Sequence, residues 1–283
     1  ELFSQHKNLD LVLIATTADS HRHLVEQAAK SGAQAILCEK PMATSVFDAR
    51  AMIEACRASG TRLAINHQMR FMDQYSLVKA ELDSGRFGSL SSMNVLAGCF
   101  GLSMNGSHYC EAFRWLTGSD IVSASAWFSS EIISNPRGPD FYDRAGEVRF
   151  ESEDGRRLMM SIGSDQGHGM TVAYGTQVGH ILVDELEGVY TATARKEEHK
   201  LSPTTRYGLP WDRWQVSFPQ ADNVGPTKAV IESLLEGSDF PDGRAGLGAV
   251  AALAAAWRSA ESGNMPVHVA ELGEYAKKRF AWA

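Results

Sequence analysis

The residues best able to do chemistry stand at the ends of apolar runs. Ile36-Leu37-Cys38 stops abruptly at Glu39-Lys40-Pro41. Proline cannot donate to a strand ladder, so a strand should end there. Buried Lys and Glu are rare unless paired, so two opposite charges at that point need a reason. Asp10–Thr16 ends in the same manner at Thr16-Thr17, and Arg62–Asn66 runs into His67, with Arg70 shortly after. Any one polar strand end is ordinary. Three in succession would lie side by side, about 4.8 Å apart per strand step, on the carboxyl rim where parallel sheets bind ligands.

The elements that would position them follow from periodicity. Continuous apolar runs such as DLVLIAT suit strands covered on both faces. Asp19 or Ser20 can cap a helix bearing Leu24, Ala28 and Ala29, closed at Ser31-Gly32. A second helix is expected from about Thr44, its cap, to Ser59, stopped by Gly60, and a third over Asp73–Ser84. This is β-α-β-α-β-α, the pattern of a doubly wound parallel sheet. No GxGxxG turn joins a strand to a helix in the sequence, although a dinucleotide site of this type normally holds its pyrophosphate there. The opening ELFSQHKN reads as a helix end, so a β-α-β-α portion of roughly 60 residues is expected to be missing ahead of it. Without it, pyrophosphate loses its helix-dipole and backbone N–H contacts.

From Gly85 the pattern changes. Strand candidates run over Ser91–Phe100, Ile121–Ser130, Gly146–Glu151, Arg157–Gly163, Met170–Ala173, His180–Glu185 and Val189–Ala194, with a short helix at Tyr109–Leu116. Turn signals between the later runs suit antiparallel hairpins. Two C-terminal helices, about Gly225–Glu236 and Ala245–Ser262, flank a break at Pro241-Asp242-Gly243. The fold class is therefore α/β: the C-terminal half of a doubly wound sheet over 1–88, then an α+β domain with an open, mostly antiparallel sheet over 89–283. The open face is expected to be a homodimer or homotetramer interface.

The chain of 283 residues has a formal net charge of −7, which argues against nucleic-acid binding. Four scattered cysteines without a CxxC pair suit reduced thiols in a cytoplasmic protein. The most apolar run, Leu247–Trp257, is too short to span a bilayer, so no membrane contact is expected. His21 and His23 lack a Cys or carboxylate partner at a recognised spacing, so no metal is expected. Met69, Met72, Met159 and Met160 suit packing. Trp127, Trp211 and Trp214 suit either packing or stacking on a sugar ring.

LVLIATTADSHRHLVEQAAKSGAQAILCEKPMA, RLAINHQMRF, NGSHYCEAFRWLTG and AALAAAWRSAESGNMPV occur in that order over nearly the whole chain. Together they resemble the glucose-fructose oxidoreductase/inositol dehydrogenase (Gfo/Idh/MocA) superfamily, the EKP-containing stretch being the specific one. The resemblance implies a nicotinamide-binding Rossmann domain, NAD or NADP as cofactor, and hydride transfer to or from a sugar, sugar derivative or polyol.

By that resemblance Lys40 sits beside the nicotinamide and the reacting oxygen, where a cation stabilises developing negative charge, and Lys40–Pro41 is cis. His108 matches the family's acid/base histidine. The family often has an aspartate four residues before it. Met104 stands there instead and cannot orient an imidazolium, which argues against a simple inositol dehydrogenase. Thr16, Thr17, His21, Glu39, Lys40, Asn66 and His67 match the cofactor side. Arg70, Asn105 and Tyr109 are the substrate-binding candidates, and Arg114 is expected to pair on the helix surface. Two rival readings share the fold: an NAD-retaining glycosidase, and a non-catalytic nucleotide- or sugar-sensing protein. Sensors of that kind commonly lose the lysine or the histidine, and this chain keeps both.

Overall fold

The computed structural model describes residues 2–98, 101–167, 169–203, 210–220 and 222–282. After a short helix α1 (Leu2–Gln5), strands β1 (Leu11–Ile14), β2 (Ala35–Cys38) and β3 (Arg62–Ile65) pair in parallel in that order. Helices α2 (Ala18–Lys30) and α3 (Val46–Ser59) form the crossovers. Every residue of β2 is buried. Its Ala35 and Leu37 pack with Ala64 under Val230 and Leu234 of helix α6 (Val224–Glu236), on one face of the sheet. Burying Leu37 alone is worth about 1.5–3 kcal/mol. β1 departs from the expected coverage on both faces, for Leu13 is 57% exposed. The outer edge of β3 is covered by the Pro241–Asp242 turn, whose Pro241 carbonyl accepts the Ile65 N–H.

The helix caps correct two expectations. α3 is capped by Ser45, whose hydroxyl accepts the Asp48 N–H at 3.0 Å, and not by Thr44. α2 has Thr17 at its cap, with no capping side chain; Ser20 instead donates its hydroxyl back to the Thr17 carbonyl. Gly32 follows α2 at φ +86°, as its cap role requires.

After helix α4 (Asp73–Asp83) come β4 (Leu90–Ala97), α5 (Leu102–Thr117), β5 (Ile121–Ser134), β6 (Tyr142–Ser152), β7 (Arg157–Ile162), β8 (Met170–Thr176), β9 (Gly179–Asp184), β10 (Val189–Arg195) and β11 (Trp211–Ser217). With β12 (Val267–His268) they form one nine-stranded sheet, in the order β11-β10-β9-β8-β4-β7-β6-β5-β12. β4 and β7 pair in parallel and the other neighbours are antiparallel. α5 and the Ala-rich α7 (Gly243–Glu261), capped by Asp242, cover one face.

Helix α5 is much longer than the stretch Tyr109–Leu116. Small residues explain the difference. A Cβ on Gly106 would come 3.1 Å from Met160 Cε, so the polar-looking Ser103–Ser107 stretch is a helix lying close on β7. β11 was not expected from the sequence; it is an edge strand whose residues are mostly exposed, so no buried apolar alternation marks it. The expected end of β4 at Phe100, with Cys99, lies outside the described residues. Cys38, Cys56 and Cys110 are free and buried. Among the described residues no helix is long and apolar enough to cross a membrane.

Candidate active site

The carboxyl ends of β2 and β3 and the first turns of α5 meet at one place. Beyond β2 the chain turns through Glu39, Lys40 and Pro41, and the Lys40–Pro41 bond is cis. Hydrogen bonds continue the ladder to this point: Glu39 N–H donates to the Ile14 carbonyl at 2.9 Å and Asn66 N–H to the Cys38 carbonyl at 2.8 Å. The Asn66 amide donates to Glu39 Oε1 at 2.7 Å, so the β3 end holds the β2 turn. Asn66 Oδ1 is buried without a protein partner.

Lys40 reaches across to α5. Its Nζ donates to the Met104 carbonyl at 3.0 Å. Burial lowers its basicity below the ordinary lysine range and Arg137 pushes the same way, while Glu39 and Asp143 oppose. His108 stands one helical turn beyond Met104, 5% exposed, with Nδ1 unpartnered. His67 lies edge-on to it, ring centroids 5.3 Å apart, and neither ring nitrogen of His67 has a protein partner. Burial, with Lys40 nearby, drives His67 down to about 3 and His108 well below its ordinary value. Both imidazoles are therefore neutral at pH 7. A neutral ring with an open nitrogen can accept a proton, and a lysine ammonium a turn away can hold an oxygen.

Other predicted residues are drawn elsewhere. His21 is fully buried, its Nδ1 near the Pro41 and Met42 carbonyls at 3.1 and 3.2 Å and its Nε2 near the Thr16 carbonyl at 3.1 Å. It braces the Thr16 loop against the Lys40 turn rather than presenting a ring atom to a ligand. Thr16 and Thr17 stay at the rim, Thr16 hydroxyl against Ser20 hydroxyl at 2.7 Å. Arg70, a substrate-binding candidate, is drawn into an ion pair instead. Its two terminal nitrogens are taken by Glu111 and, at 3.0 Å, by Asp239, in a mostly buried ion pair. Tyr109, another substrate-binding candidate, is fully buried, with its hydroxyl 3.5 Å from Glu185 beside Tyr75. Asn105 stays half-buried on the first turn of α5. Arg114 pairs with Asp120 at 2.6 Å on the surface.

The tryptophans and methionines divide. Trp214 donates to Glu81 at 2.9 Å under the Arg86 guanidinium, so it packs. Trp127 is half-exposed on the uncovered sheet face, as is Met159. Three site-bordering residues had no sequence signal. Asp143 lies between two of the expected strands, Ile121–Ser130 and Gly146–Glu151. Arg137 is in the loop before it, and Asn135, at the close of β5, donates its amide to the Met104 sulfur at 2.7 Å.

The chain is also similar to known proteins. A family described as "Oxidoreductase family, NAD-binding Rossmann fold" (GFO_IDH_MocA) matches residues 1–67. The chain is 35% identical over 150 residues to a D-apiose dehydrogenase of Paraburkholderia graminis, covering 47% of this chain and 39% of that protein. It is 29% identical over 209 residues to inositol 2-dehydrogenase 2 of Saccharopolyspora erythraea, covering 70% of this chain and 60% of that one. The matches thus span less than two thirds of these relatives' own lengths. In fold it resembles an oxidoreductase from Agrobacterium radiobacter solved with NAD+, L-tartaric acid and magnesium. There the TM-score is 0.76 at 21% identity, over 95% of this chain and 82% of that one.

Proposed function

We propose that this chain, which is similar to Gfo/Idh/MocA oxidoreductases, transfers hydride between NAD or NADP and a carbinol carbon of a sugar, sugar derivative or polyol. The observation that carries the reading is the convergence of Lys40, His67 and His108 from three elements. The named relatives act on apiose and inositol, which suits a small polyhydroxylated substrate.

The residues present fit the nicotinamide end of such a cofactor. Asn66 Oδ1 and both nitrogens of His67 are buried polar atoms without a protein partner, and leaving such atoms unpaired costs about 1–3 kcal/mol each. Glu39, Asn66 and His67 would border the cofactor at the strand ends, with Thr16 and Thr17 further along the rim. When bound, the cofactor accepts or supplies the hydride.

The protein's own part is to handle the proton and the oxygen. The Lys40 ammonium would donate to the reacting oxygen as negative charge grows on it. Neutral His108 would take the hydroxyl proton in oxidation and return it in reduction. Asn105 would contact substrate from the first turn of α5. The Met104 side chain offers no charge to His108, so in this reading the imidazole works without a carboxylate at that position.

The uncovered sheet face supports self-association into a dimer or tetramer. Register puts Leu96, Trp127, Met159 and Leu182 on that one face, each at least 39% exposed. A cytoplasmic setting suits the buried free thiols.

The direct test is to titrate the protein with NADH and NADPH by fluorescence, then assay aldoses and polyols with the cofactor that binds. Saturable binding with turnover of a polyol supports the proposal. Hydrolysis of a glycoside without net cofactor reduction would favour the glycosidase reading instead. Binding of cofactor or sugar with no chemistry would favour a sensor.

A further inference from the structure

Asp143 in β6 is 1% exposed, yet it sits against the helix that carries His108. Its Oδ2 accepts the Ser103 N–H at 2.6 Å and the Met104 N–H at 2.8 Å, and its Oδ1 accepts the Arg144 N–H at 2.8 Å. The opening N–H groups of a helix have no partner within it, and α5 has no capping side chain of its own. The residue at its cap is Gly101, at φ +73°. A Cβ there would stand 2.6 Å from Asp143 Oδ2 and 2.9 Å from Asp143 Cβ, so only glycine admits the carboxylate.

Met104 joins the two halves of this arrangement. Its N–H donates to Asp143 and its carbonyl accepts the Lys40 ammonium at 3.0 Å. A carboxylate, one helical turn and an ammonium thus form a single connected path. We propose that Asp143 is the positioning residue for Lys40, fixing the first turn of α5 so that the Met104 carbonyl holds the ammonium at the site. The proposal rests on the role given to Lys40 above, but its physical content does not need that role. The charged and titratable groups facing this corner are Lys40 and Glu39 from the β2 turn, Arg137 from the loop, Asp143 from β6, and the two imidazoles of His67 and His108. Asp143 is the one that both caps the helix and opposes the burial of the ammonium.

Two variants separate the elements of this arrangement. Asp143→Asn keeps the shape and an acceptor oxygen but removes the charge. Gly101→Ala keeps the charge but crowds it. The test is NMR titration of Lys40 in protein labelled with 13C-lysine, the resonance assigned by its loss in Lys40→Arg. Exposed Asp140→Asn serves as the control. Asp143→Asn should lower the Lys40 midpoint by roughly 0.5–1 unit, the low end of what a neighbouring opposite charge does. Gly101→Ala should move it in the same direction. With a turning-over substrate, Asp143→Asn should cut kcat about tenfold, about one pKa unit's worth of interaction, with KM little changed.

A purely structural Asp143 would lower the melting temperature and leave Lys40 titrating as in the control, and that result overturns the proposal. If Asp143→Asn does not fold, the Gly101→Ala titration decides alone. The titration uses neither cofactor nor substrate. Should Lys40→Ala leave turnover intact, the reaction assigned to the site fails while the coupling of Asp143 to Lys40 is still decided by NMR.

Discussion

Helix α5 contributes to two kinds of buried polar group, and they are built on opposite plans. Tyr109 joins Tyr75 around Glu185, where the Tyr75 hydroxyl donates to Oε1 at 2.5 Å, and Glu111 meets Arg70 and so reaches Asp239. There the charges face partners inside the protein, although Arg70 Nε and Glu111 Oε2 are left without a hydrogen bond. His108, one residue away from Tyr109, instead faces His67, and ring nitrogens of both lack protein partners. Buried polar atoms are ordinarily hydrogen-bonded, and at the two imidazoles no opposite charge offsets the open nitrogens. The first set ties the two sheets to each other through α5; the second is where we propose that the ligand binds.

The largest effects should fall on the paired set and should be effects on stability. Glu111→Ala leaves the buried Arg70 guanidinium without its carboxylate and should cost about 3–5 kcal/mol in denaturant unfolding. Lys40→Ala, at the open set, should do the reverse: a loss of about 10²–10³ in kcat, with the folded state retained by circular dichroism. An equal stability loss in both variants would erase the contrast.

Acid titration sharpens it, because the two sets have opposite signs. His67 and His108 are held below their unfolded values by burial, so the unfolded chain binds more protons as pH falls below about 6.5, and stability drops there. His67→Leu should remove about 2 kcal/mol of the loss between pH 6.5 and pH 5, at 1.36 kcal/mol per unit. Glu185 is raised by burial to about 6. Its contribution is fully present below its unfolded value near 4.5 and is lost as pH rises through about 6. Glu185→Gln should therefore recover about 2 kcal/mol at pH 8 relative to pH 4.5. Thermal melts over that range check both slopes. Ser45→Ala, which removes the α3 cap, should cost about 1 kcal/mol at neutral pH.

The strand-end members of the open set were legible in sequence because they end apolar runs, Glu39-Lys40-Pro41 after Ile36-Leu37-Cys38 and Asn66-His67 after Arg62–Ile65, whereas His108, inside α5, was reached only through the family resemblance. Strand periodicity locates such residues without any knowledge of their contacts. The paired set was not legible. Arg70 reads as a rim arginine until Glu111, 41 residues away, is seen to take it, and Tyr109 reads as a neighbour of His108 until helix geometry turns it about a quarter turn aside. Asp143 was missed for the same reason. Its partners are backbone N–H groups 40 and 39 residues earlier, and nothing in the run RGPDFYDRAG announces a cap for a distant helix. The early start of α5 was hidden too, since a helix over Ser103–Ser107 gains its stability from close packing on Met160 and from that distant carboxylate rather than from local propensity.

The measurement that tests the central claim most directly is cofactor reduction by wild type and Lys40→Ala on the best substrate of a polyol and aldose panel, read by nicotinamide absorbance with cofactor binding measured in parallel. The account predicts that both proteins bind cofactor and that Lys40→Ala turns over at least about 100-fold more slowly. Equal turnover by the two proteins would contradict it.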